Sequence, residues 1–164
     1  MKTRSTLVAL AAVSLLMATP VLAALPAPAG LTVTVNANDV AFNWDDVTGA
    51  KKYSVDLEGT VTFDYVDGTG ALIEDATLDV ELSFGTSDRT DGGEIGDSDL
   101  TIAKADLELA LISAIQDALA LPPTNLVAVG DFDGEAKVKA LNPGKGNGKQ
   151  NNPFSDPFAF VVAF

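Results

Sequence analysis

Cysteine and histidine are both absent from the 164 residues. Without thiols the chain forms no disulfide, offers no sulfur nucleophile and has no cysteine for a lipid anchor, so its stability comes from packing, with bound ions the other source. Without imidazole it lacks the usual general base and the commonest metal ligand. Serines therefore occur with no histidine to activate them, and carboxylates are the only acid and base groups available. Basic residues are also scarce, 10 against 23 acidic ones, for a formal net charge of −13. A field of that sign repels nucleic acid and anionic lipid, which excludes both as partners.

Apolar runs are short as well. Lys2 and Arg4 lead into one from Leu7 to Met17, followed by Pro20-Val21-Leu22-Ala23. A charged start, a short apolar stretch and small residues at the −3 and −1 places predict a signal peptide over 1–23, cleaved after Ala23. The run falls short of the roughly 20 apolar residues a bilayer needs, and no later segment supplies a membrane span. Export to the periplasm or the extracellular space is expected, with 24–164 as a single domain large enough to bury a core.

What is present is mostly alternation. Val40, Phe42 and Trp44, the only tryptophan, fall at period two; Asp45 to Gly49 is turn-forming; Tyr53, Val55 and Leu57 resume the period. The two runs predict a hairpin with one buried face. Leu31, Val33 and Val35 form an earlier strand after the proline-punctuated 24–30. Val61, Phe63 and Tyr65, a turn at 67–70, then Leu78, Val80, Leu82 and Phe84 predict two more strands. From Ile102 to Ala120 the period becomes helical and ends at Pro122-Pro123. That helix carries two apolar stripes, one through Leu107 and Leu111, the other through Ile102, Leu109, Ile112 and Leu119. Only one stripe can lie on a sheet, so Leu109 and Ile112 are candidate contact residues for a second copy or a partner, unless the 60–84 hairpin folds over them.

Pro28, Leu31, Trp44, Ala50 and Tyr53, set in a proline-rich entry, an L-T-V-T strand and a turn closing on Gly-Ala, resemble the first three strands of a fibronectin type III domain. Ala136, Val138 and Ala140, followed by Asn142-Pro143-Gly144, resemble its sixth strand, and 156–164 its last. The resemblance implies an immunoglobulin-like β-sandwich with an inserted hairpin and helix at about 59–126, and assigns Trp44 and Tyr53 to the core. It also implies a non-catalytic binding, adhesive or structural role. Six residues before Ala140, where the family carries tyrosine, this chain has Gly134.

Three groups of candidate site residues follow. Asp88, Asp91, Glu94, Asp97 and Asp99 are oxygen donors spaced around Gly93, as a Ca²⁺ loop requires. A solvated acidic loop capping the helix through Ser98 or Asp99 fits the same residues, and both readings stand open. Asp131 to Glu135 reads as a turn. Lys51, Lys145 and Lys149 would gather at one pole of a sandwich and form a contact site for an anionic protein or polysaccharide. Lys137 and Lys139 are expected to pair across strands with Asp56 and Glu58. A self-associating matrix or surface protein, assembling through the 102–120 helix as a homo-oligomer, is the rival reading. An outer-membrane barrel, prompted by the terminal Phe164, is opposed by the helix and the acidic strands.

Overall fold

The computed structural model describes residues 24–86, 99–141 and 152–164. Seven strands and one helix follow in chain order. These are β1 (Thr32–Val35), β2 (Asp39–Asn43), β3 (Lys52–Val66), β4 (Leu72–Gly85), β5 (Asp99–Ala103), α1 (Lys104–Leu119), β6 (Leu126–Leu141) and β7 (Phe158–Val162). All pairings are antiparallel. A short sheet has the order β1-β2-β5 and a long one β4-β3-β6-β7. The first three, sixth and last strands are those the sequence resemblance singled out, and the architecture is a two-sheet β-sandwich.

The sheets differ in length, and that difference gives the helix its place. β3 has 15 residues and β6 has 16, whereas β2 and β5 have five each. At about 3.3 Å per residue the long strands reach about 50 Å and the short ones about 17 Å. The short sheet therefore covers one part of the long one. Over the rest lies α1, whose 16 residues extend about 24 Å. It touches β6, β4, β5 and β2 and turns Leu107, Leu111 and Ile115 into the same core as Val61, Phe63, Val80 and Val129. Beneath the short sheet the core holds Val40, Phe42, Tyr53, Val55, Phe132, Val138 and Phe160, with the Phe42 and Phe160 rings edge to face at 5.8 Å.

Several expectations change. The runs of Val40–Trp44 and Tyr53–Leu57 are not a hairpin, because β2 pairs with β1 and β5 while β3 pairs with β4 and β6. The 45–51 segment crosses between the sheets, held by a hydrogen bond from the Val47 N–H to the Tyr53 hydroxyl at 2.8 Å. Tyr53–Leu57 and Val61–Tyr65 are one continuous strand, β3. Asp131 to Glu135 is no turn: it is the middle of β6, with Phe132 to Glu135 paired on both sides. Gly134 faces Gly59 across the strands, and a Cβ on Gly134 would fall 2.6 Å from the Phe132 ring and 2.7 Å from the Glu58 carbonyl oxygen. The backbone approach excludes any side chain there, which is why the family's tyrosine has no counterpart.

The helix begins two residues later than the sequence period indicates. Asp99–Ala103 pairs instead with β2, Ile102 opposite Val40, and Asp99 does not cap α1: the cap position is Ala103, with no side-chain hydrogen bond, while Ser98 lies outside the described residues. The far end closes on Ala120 in the left-handed conformation at φ 51°.

Candidate functional site

Alternation gives the long sheet two faces. Odd-numbered residues of β3 and, from Phe132 on, even-numbered ones of β6 point into the core, so Asp56, Glu58 and Thr60 of β3 and Asp133, Glu135 and Lys137 of β6 point out. Register sets them in rows across three strands. Glu81 of β4 lies opposite Glu58, which lies opposite Glu135; Asp79, Thr60 and Asp133 form the next row, and Ser83, Asp56 and Lys137 the one on the other side. The result is an open depression of about 640 Å³ whose rim includes Glu58, Thr60, Asp79, Glu81, Glu135 and Lys137.

The polar groups hold one another in place. Lys137 Nζ donates to Glu58 Oε2 at 2.9 Å. That hydrogen bond, reinforced by the Glu58 charge and by Glu135 and Glu81 nearby, pushes the Lys137 ammonium above its ordinary range. Thr60 donates to Asp79 at 2.7 Å, and the Ser54 and Ser83 hydroxyls both donate to Asp56 Oδ1 at 2.7 Å. Three glutamates in direct register repel one another, so this row is set against strand pairing, and Lys137 offsets it. The surface is an anionic, solvent-facing platform on a rigid sheet, suited to holding a cationic group.

The expected site residues are placed as follows. Lys51 is exposed at the start of β3, its N–H donating to the Leu141 carbonyl at 2.9 Å. It thus stands next to the end of β6; Lys145 and Lys149 lie outside the described residues. So do Asp88, Asp91, Glu94 and Asp97, together with residues 1–23, where a leader is expected. Asp99 opens β5 opposite Asn43. On α1, Leu109 is 62% exposed, whereas Ile112 is half-buried against the core and Ile102 belongs to β5. The predicted second stripe is thereby divided, with Leu109 and Leu119 outward and Ile112 turned partly in. Lys137 pairs with Glu58 as expected; Lys139 instead lies over the Phe154 ring at 5.0 Å.

Sequence reasoning missed the carboxylate rows. Their signal is the acidic phase of three strands, Asp56 and Glu58, Asp79 and Glu81, Asp133 and Glu135. What aligned them was register, which no local pattern states.

No family model and no curated protein matches the sequence. Among solved structures the chain is similar to the fn3 domain of the human collagen alpha-1(XX) chain, at 16% identity, covering 85% of this chain and 84% of that one, with a TM-score of 0.32. The fibronectin type III-like fold is carried by this chain's own strand order: first, second and fifth strands in one sheet, fourth, third, sixth and seventh in the other.

Proposed function

We propose that this chain is an exported, non-catalytic binding or structural module acting at the cell envelope or outside the cell. Export is supported by the leader pattern at 1–23, and the binding role by one observation: the outer face of the long sheet is an open, carboxylate-lined surface on a rigid scaffold. Function lives in a site's surface chemistry rather than in the fold that carries it. Produced from the full 164 residues in a secreting host, the protein should leave the cytoplasm with Ala24 as its first residue by mass spectrometry. Retention inside the cell with residues 1–23 attached overturns the export half. For the binding half, Glu58→Lys with Glu135→Lys should keep the circular-dichroism spectrum while abolishing capture of the partner from the surface fraction; an unchanged capture profile argues against this face.

A second reading, self-association through α1, is favoured by the exposure of Leu109 (62%) and Leu119 (40%) on one side of the helix. Light scattering at rising concentration distinguishes it: a dimer mass that Leu109→Lys with Leu119→Lys returns to the monomer supports the helix as the interface.

A further inference from the structure

β4 ends the long sheet. From Ala76 to Gly85 it pairs with β3 in unbroken register, and among the described residues no strand pairs with its other edge. A strand in that position presents a row of N–H and C=O groups free to pair with another chain. Its two sides differ in chemistry. Leu78, Leu82 and Phe84 turn inward and are half-buried on either side of the buried Val80, while Asp79 and Glu81 are exposed on the outer face. Behind those two carboxylates stand Glu58 and the rest of the acidic rows.

We infer that the 76–85 edge of β4 accepts an extended segment of another protein, with lysine or arginine at alternate positions and apolar residues between them. This rests on the binding-module reading and names its site. A strand added here would align its apolar residues with Leu78, Leu82 and Phe84, extending the core by one strand, and would set its basic residues across from Asp79 and Glu81. Main-chain hydrogen bonds supply affinity in such strand addition, and alternate side chains supply specificity. Charge selects a foreign, basic occupant over a second copy of this chain. Two copies paired through β4 would bring the Asp79 and Glu81 carboxylates of both onto one face, and like charges opposite each other destabilise a strand pair. The platform has a defined end: Asp75 adopts φ 53°, its N–H donating to Asp64 Oδ1 at 2.9 Å, and the register shifts there. That leaves ten regular residues, about 33 Å of edge.

The experiment uses residues 24–164 and three labelled, end-blocked eight-residue peptides. One alternates Lys and Val, the second is the same sequence N-methylated throughout, and the third alternates Glu and Val. The Lys-Val peptide should bind 1:1 by fluorescence anisotropy and slow hydrogen exchange of the 76–85 amides. N-methylation, which keeps every side chain and removes the strand-forming N–H groups, should weaken binding by about tenfold or more, as should Asp79→Lys with Glu81→Lys. The Glu-Val peptide should not bind. Equal binding of the N-methylated peptide would mean charge attraction alone and overturns the proposal, as does protection that falls outside β4. So does a concentration-dependent dimer that the same double variant dissolves, since the edge would then belong to a second copy. Should the double variant fail to fold, the N-methyl comparison on the unaltered protein decides. Loss of this peptide site with partner capture intact would leave the binding module standing and remove only β4 from it.

Discussion

Trp44 and Tyr53 carry the corner where the chain passes from one sheet to the other. Their rings meet at 5.1 Å and 63°, Trp44 is 5% exposed and Tyr53 fully buried. The period-two phase of Trp44 with Val40 and Phe42 already marked it as core. Its indole N–H, buried with no hydrogen-bond partner among the described residues, could not be read from that phase. Trp44→Ala removes a large core side chain and should cost about 3–5 kcal/mol in urea unfolding; a mutant as stable as the parent would contradict the packing role. Tyr53→Phe acts differently, because it leaves the buried Val47 N–H without its acceptor, at a cost of about 1–3 kcal/mol. Burial also pushes the Tyr53 phenol above its ordinary value of 10.0, an effect the Val47 hydrogen bond opposes and the Asp46 charge adds to. A raised pKa favours the protonated phenol in the folded state. The associated stability is therefore complete below pH 10 and is lost as pH rises through the folded value, so Tyr53→Phe should flatten the alkaline fall in stability.

Among the elements, the helix shows best what the sequence could state. Its period was legible from Leu107 onward, yet two of its apparent first residues belong to β5. Ile102 and Ala103 fit a helical stripe and a strand equally well, and short apolar runs do not distinguish the two. Only pairing with β2 decides between them. The same limit hid the middle of β6, where Asp133 and Gly134 have turn composition but pairing on both edges holds them extended. Sheet membership of β2 and β3 was illegible for a related reason: alternation reports a buried face and never names the neighbour. The stripe through Leu107 and Leu111 was assigned correctly to one side, and Ile115 completes it at the next turn. Leu111→Ala should cost about 2–5 kcal/mol, since Leu111 is fully buried, whereas Leu109→Ala should stay within about 0.5 kcal/mol. Equal losses at the two positions would mean that Leu109 is covered in the folded protein.

At the scale of the molecule, one long sheet is covered by two different layers, and charge works against the assembly. The net charge is −13, and the Glu81, Glu58 and Glu135 row concentrates repulsion on the uncovered face, where Lys137 is the one cation in the adjacent row. Exposed charges interact over about 30 Å at 0.01 M salt and about 8 Å at 0.15 M, so screening removes much of this repulsion within the ordinary range of buffers. Raising NaCl from about 0.01 M to about 0.3 M should therefore raise the Tm by a few degrees, opposite in sign to a fold held together by surface ion pairs. Lys137→Met supplies the local control. It deletes the Glu58 ion pair and leaves three carboxylates in register, so its Tm should fall below the parent's most at low salt and approach it as salt rises. A Tm that falls with NaCl in the parent, or a Lys137→Met deficit that salt does not narrow, would show that the acidic face is not the source of the strain.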